Sequence, residues 1–159
     1  MGELSGLVDK QYKIPVSVLV LIHTADLRVL LLERADRPGY WQSVTGSQDA
    51  GETLVATARR EVREETGIET DSHMLVDWHK QSEFEIFKHW RHRYAPGVTH
   101  NTEHVFSLQL PDIIVPVLAP REHLQFAWLP WREAAELVFS WSNADAIREL
   151  PRRLGVATK

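Results

Sequence analysis

The densest gathering of reactive side chains is Arg60-Glu-Val-Arg-Glu-Glu65, followed by Gly67-Ile68. On a helix, Glu61 and Glu64 are three apart and Glu61 and Glu65 four apart, so the three carboxylates share one face. At about 100° per residue their arc runs into that of Leu54 and Ala58, which places the acids beside the packed stripe rather than opposite it. Like charges at this spacing repel, and partial burial makes the repulsion worse. A hard divalent cation removes the conflict. Mg²⁺ (or Mn²⁺) takes oxygen ligands and is commonly held jointly by carboxylates and substrate phosphates, so the chemistry in view is metal-assisted attack on phosphorus. Glu52 and Arg60, eight residues or about two turns apart, are placed to bridge along the helix edge and aim that face. A simply solvated Glu-rich helix has the same six-residue signature, and the hexapeptide alone leaves both readings open.

The flanking chain must hold this helix against something. Thr53 is a good N-cap and Gly67 a good terminator, which predicts about four turns between them. Val16–Ile22 is a continuous apolar run rich in β-branched residues and reads as a buried strand; Leu27–Glu33 reads as a second, after a turn at Thr24–Asp26. Ala35–Gly39 is a loop by its Pro-Gly. Trp41–Val44 reads as a short strand ending at Thr45-Gly46. Several strands are expected between Met74 and Leu110, a proline-rich loop over Pro111–Pro120, and helices over Trp131–Phe139 and Asn143–Leu150. Strands and helices mixed in this way imply an α/β or α+β sandwich.

Bulk properties narrow the field. A chain of 159 residues, 43% hydrophobic and 25% charged, suits one domain over residues 1–159. It has no cysteine, which excludes disulfides, thiolate nucleophiles and Cys-ligated zinc. A formal charge of −4 argues against a nucleic-acid-coating surface. No apolar run is long enough to span a membrane, and Met1–Gly6 lacks the basic-then-apolar pattern of a leader. The expectation is a cytoplasmic protein with no membrane or nucleic-acid partner; the oligomeric state is not legible. His89 and His92 have helical spacing, but their surroundings read as strand, so no metal is assigned to them. By the same reading, Lys88–Arg93 has the cations that protect an edge strand from pairing.

The wider pattern resembles the Nudix box: glycine, five residues, Glu, seven residues, then Arg-Glu-apolar-x-Glu-Glu-x-Gly-apolar. Gly46, Glu52, Arg60, Glu61, Val62, Glu64, Glu65, Gly67 and Ile68 fill its fixed positions. The resemblance implies an α/β/α sandwich with a mixed sheet, the box forming loop–helix–loop, and Mg²⁺-dependent hydrolysis of a diphosphate linkage. It implies Glu61, Glu64 and Glu65 as metal ligands, with the Gly46 carbonyl completing the set, Arg60 and Glu64 in the catalytic machinery and Glu52 as support. A non-catalytic module of the same fold would typically have lost box glutamates; all are present here.

Four further stretches are similar to the bacterial folate-pathway branch of that superfamily: Tyr12-Lys13-x-Pro15, Tyr40–Ser47, Phe84–Thr99 and Ser140–Asn143. This implies a small-molecule substrate, dihydroneopterin triphosphate, cut to the monophosphate and pyrophosphate. A nucleoside triphosphate is the alternative, since purines and pterins share shape and edge chemistry. A flat heterocycle wants an aromatic slot, for which Trp41, Phe84, Phe87, Trp90, Tyr94 and Trp141 are available. The triphosphate wants cations, for which Lys13, Arg34, Lys88, Arg91 and Arg93 are available. Thr45, Glu85, Ile86 and Ser140, within the similar stretches, join the expected substrate contacts, and Ser140 and Asn143 are equally placed to cap the helix that follows. Glu122, in Arg121-Glu-His-Leu, stands where that branch adds a carboxylate as ligand or general base; an ordinary surface glutamate is the other reading.

Overall fold

β1, Val16–Thr24, is the apolar run, buried at every position after Val16. A strand reads as uninterrupted hydrophobic residues when both faces are covered, and here they are. Alternation sends Leu19 and Leu21 to one side and Val18, Val20 and Ile22 to the other. The computed structural model describes residues 11–70 and 74–156; the Met1–Gly6 stretch read above for a leader lies outside them.

The other strands are β2 (Arg28–Arg34), β3 (Trp41–Gln42), β4 (Val44–Ser47), β5 (Met74–Glu85), β6 (His100–Leu110) and β7 (His123–Pro130). β1 and β6 run parallel, Val16 against Thr102 through Thr24 against Leu110. The remaining pairings are antiparallel, so the sheet is mixed, as expected. β1 meets β2 at His23–Val29 but takes β4 along Ser17–Val20, while β2 pairs with β3 and β7. The sheet thus forks between β1 and β2. A register irregularity at Glu33/Arg34, of the kind that re-aims side chains near active sites, sits on the β2 side of the fork.

α1, Leu54–Thr66, lies on one face, with Ala58 and Val62 packed on Val18, Val20, Leu30, Leu32 and Phe106. Full burial of a side chain such as Val62 contributes roughly 1.5–3 kcal/mol. Thr53 caps the helix, its hydroxyl accepting from the Ala56 N–H at 3.1 Å, and Gly67 ends it at φ 77°, a left-handed conformation that glycine adopts without strain. α2 (Trp131–Leu137) and α3 (Trp141–Arg153) cover the opposite face through Ala134, Ala135, Ala146, Ile147 and Leu150. The result is the expected α/β/α layering. Among the described residues no helix is long and apolar enough to cross a membrane.

Two local expectations need correcting. The short strand is broken at Ser43 into β3 and β4, so Thr45 and Gly46 lie inside a strand instead of after one. Lys88–Arg93 is a 3-10 helix, neither strand nor strand edge. Its aromatics mimic a strand in composition, but Phe87 and Trp90, three apart, stack at 5.4 Å in the period of a 3-10 turn. The region between Met74 and Leu110 is accordingly two long strands joined through this turn.

Candidate active site

Of the three glutamates on α1, two turn inward. Glu65 is 2% exposed and Glu61 9% exposed, whereas the Glu64 side chain is half exposed. Gly46, on β4 directly beneath, has no room for a side chain: a Cβ there would stand 2.0 Å from the Glu61 carboxyl carbon. A side chain at position 46 would therefore displace the Glu61 carboxylate, and the Gly46 backbone forms one wall of the acid's seat. The Glu61 and Glu65 carboxyls are within hydrogen-bonding reach of each other, and burial raises the pKa of both, that of Glu65 strongly. Two carboxyls this close must share a proton or a cation to coexist. Glu65 Oε1 is buried without a hydrogen-bond partner. Its nearest basic group, His123 Nε2, is 3.7 Å away, beyond a hydrogen bond. Burial, with Arg34 second, lowers His123 to about 4, so it is neutral at physiological pH and does not neutralise the pair.

Arg60 fixes the pair from outside. Its Nε and one terminal nitrogen donate to the two Glu52 oxygens at 2.6 and 3.0 Å; its terminal nitrogens also reach Glu61 Oε2 at 2.8 Å, Glu64 Oε1 at 3.2 Å and the Ser47 carbonyl at 2.9 Å. Glu52 also accepts from the Asp49 N–H and the Thr57 hydroxyl, and these donors, Arg60 first, hold it at about 2. The bridge expected from spacing is present, and it ties α1 to β4.

Across the fork stand cations. Arg34, at the irregularity of β2, makes a two-point ion pair with Asp36 at 2.8 Å, donates to Gln42 at 3.0 Å and lies 4.4 Å over the Trp90 ring. Arg93 shares Asp36 at 2.9 Å. Asp36 is held well below the usual carboxylate range, chiefly by Arg34. Lys13 stands exposed at the mouth, and the protein packed behind it, then Arg93, lowers its pKa. Glu122 closes the turn before β7, its carbonyl accepting from the Ala35 N–H at 2.9 Å, and its charge helps raise Glu65.

These groups border one cleft of about 610 Å³, within the usual range for small-molecule sites. Of the expected residues, Lys13, Arg34, Thr45, Gly46, Glu61, Glu65, Phe84, Glu85, Ile86, Phe87, Trp90, Arg93, Tyr94, Glu122, Ser140, Trp141 and Asn143 line it. Trp41 does not; it packs against the core and pairs with Glu33. Arg91 turns away to Glu85 and the Ile86 carbonyl, and Lys88 is likewise outside the lining. Ser140 does cap α3, accepting from the Asn143 N–H at 3.3 Å. Asn143 is engaged by the Ser43 backbone and hydroxyl at 2.9 and 3.0 Å.

The sequence reading missed Phe139, which packs against Tyr40, Phe87 and Trp90, and a polar floor of Ser17, Asn101 and Glu103. His100–His104 is polar at every position, so no alternation in residue type marked the last two. Among the described residues no three acidic or histidine side chains form a ready-made cation cage. A paired, oxygen-only donor set suits a hard cation that completes its shell with water and phosphate.

A NUDIX domain model matches residues 13–150. The chain belongs to the Nudix family. This Nudix chain is 51% identical over 144 residues to the dihydroneopterin triphosphate diphosphatase of Escherichia coli, covering 89% of the chain and 95% of that protein. It is 44% identical over 151 residues to the enzyme of the same name from Haemophilus influenzae, covering 93% and 94%. The structure of the E. coli dihydroneopterin triphosphate pyrophosphohydrolase superposes with a TM-score of 0.83 over 88% of this chain and 97% of that one. Nudix hydrolases generally need divalent metal ions, and the buried Glu61–Glu65 pair, with its unpartnered oxygen, fits one.

Proposed function

We infer that this Nudix hydrolase converts 7,8-dihydroneopterin triphosphate and water to dihydroneopterin monophosphate and pyrophosphate, using Mg²⁺. The observation that carries the reading is the cleft in which a buried carboxylate pair, a basic wall and an aromatic wall meet. Near-full-length identity to the E. coli and H. influenzae enzymes supports the choice of substrate.

Glu61, Glu65 and the Gly46 carbonyl would hold the cation, and Glu122 lines the same cleft. The cation supplies Lewis-acid stabilisation of phosphate oxygens and of the pyrophosphate leaving group. Arg34, Arg93 and Lys13 bind the triphosphate; the bidentate grip of Arg34 on Asp36 uses the fork geometry that phosphate also satisfies. Glu122, exposed and acceptor-only when ionised, takes the proton of the attacking water. Arg60 and Glu52 keep Glu61 in place, and Glu64 braces Arg60 from the outer side. Phe84, Ile86 and Phe87 offer the heterocycle an apolar surface.

The test is a product assay. With Mg²⁺, dihydroneopterin triphosphate should release pyrophosphate with kcat/KM at least about tenfold above that for dGTP, roughly 1.4 kcal/mol of discrimination. EDTA should abolish turnover and leave the circular dichroism spectrum intact. Equal or reversed kcat/KM values would move the substrate to nucleotides.

A further inference from the structure

We propose that Glu103 and Asn101, on the cleft floor, read the N–H edge of the substrate's heterocycle and so set its identity and orientation. The proposal rests on the substrate reading above and concerns the end of the cleft that the phosphate chemistry leaves unexplained. Asn101 and Glu103 alternate along β6 and therefore point to one face. Both line the cleft, yet they are 4% and 5% exposed.

Their hydrogen bonding is lopsided. Asn101 Nδ2 donates to Ser17 Oγ at 2.8 Å, which leaves Asn101 Oδ1 buried with no partner. Glu103 Oε1 accepts from Ser142 Oγ at 2.8 Å, and a carboxylate has acceptor capacity for several such donors. The floor therefore offers acceptors and asks for donors, and buried acceptors of this kind are nearly always matched in proteins. Burial pushes the Glu103 carboxyl up to about 7, as expected where hydration has been lost and one hydroxyl has replaced it.

A 2-amino-4-oxo pterin carries a ring N–H and an exocyclic NH₂ side by side. That pair of donors is what two adjacent acceptors want. Phe84 is the direct cross-strand partner of Asn101, so its side chain stands on the same face as the floor, at the short range of cross-strand neighbours. Ring face and ring edge are thus met by adjoining residues. When ionised, Glu103 also discourages phosphate from lying this way round, directing the tail to Arg34 and Lys13. Guanine shares the double-donor edge, whereas adenine presents a ring-nitrogen lone pair beside its amino group, which a carboxylate repels.

Glu103→Gln keeps the shape but turns an acceptor site partly into a donor. The expected result is a KM for dihydroneopterin triphosphate raised at least about tenfold, kcat within about threefold, and a kcat/KM preference over dATP reduced at least about tenfold. Titration of the wild type and the variant with neopterin, the heterocycle without phosphates, reads the same pocket without turnover and should show a matching loss of affinity. Ser142→Ala removes the Glu103–Ser142 bond without touching the ligand edge and should preserve the preference. A Glu103→Gln enzyme with wild-type KM, preference and neopterin affinity overturns the proposal. So does an equal loss of preference in Ser142→Ala, which would make Glu103 a strut between β6 and α3. A wild type that fails to turn over dihydroneopterin triphosphate overturns the substrate reading instead, and the first assay separates the two failures.

Discussion

Glu65 carries the heaviest demand of any residue in the cleft: almost wholly buried, facing a second carboxyl, with one oxygen unpartnered. Neutralising it without changing its shape removes a ligand charge while relieving the repulsion. Glu65→Gln is therefore expected to fold at least as stably as the wild type yet lose at least about 10²-fold in kcat, roughly 3 kcal/mol of transition-state stabilisation. Steady-state kinetics beside a denaturant titration would check it, and full activity in that variant would remove the glutamate from the mechanism. Arg34 and Glu122 divide differently. If Arg34 holds phosphate equally in ground and transition states, as proposed, Arg34→Ala should mainly raise KM; Glu122→Gln should mainly lower kcat. Identical kcat losses with unchanged KM in both would refute that division.

At the scale of elements, α1 is held in two separable ways. Thr53 secures its start by capping, outside the cleft lining, whereas Arg60, itself held by Glu52 and Glu61, fastens the middle to β4 through the Ser47 carbonyl. Thr53→Ala should cost about 1 kcal/mol of stability with kcat nearly unchanged. Arg60→Lys keeps the charge but not the fork that spans both Glu52 oxygens, so it should lower kcat and raise the Mg²⁺ concentration needed for half-maximal rate. Urea denaturation and a Mg²⁺ titration of both variants would distinguish the roles; an Arg60→Lys enzyme with a wild-type Mg²⁺ requirement argues that Arg60 merely decorates the surface.

Over the whole molecule, the buried acids give stability a predictable pH dependence. Glu103 has a folded pKa of about 7 against an ordinary 4.5. Its protonated form favours folding, a contribution fully present below about 4.5 and lost as pH rises through about 7; Glu65 acts in the same direction. Asp36 and Glu52, lowered by their arginines, act oppositely: they stabilise above the ordinary carboxylate range, and that contribution is lost as pH falls through their depressed values. Glu103→Gln isolates one of these. The Tm of the wild type relative to this variant should be higher at pH 5 than at pH 8, measured without divalent cation. A constant difference would show that Glu103 does not titrate in that window.

The α1 helix and its cap, the arginine bridge and the buried first strand were all legible in the sequence, because each depends on spacing within a few turns or on the composition of one strand; Gly46 entered only through its place in the box, and its close approach to Glu61 is a contact between β4 and α1. Glu61 and Glu65 could be placed beside the packed stripe from the helical period alone. Which of the acids turned inward was less accessible: Glu64 shares their face, and only the position of β4 under α1 separates it from them. The long-range choices belong to the tertiary structure. Trp41, one of the candidate ligand aromatics, lies outside the cleft lining and packs, partly buried, against the core, where β3 sets it beside Val138. The Lys88–Arg93 segment looked like a strand and coiled because its rings pack on one another and on Phe139, just ahead of α3. Asn101 and Glu103 entered the cleft because β6 runs parallel to β1 beside the fork, a pairing across more than 80 residues that no local pattern encodes.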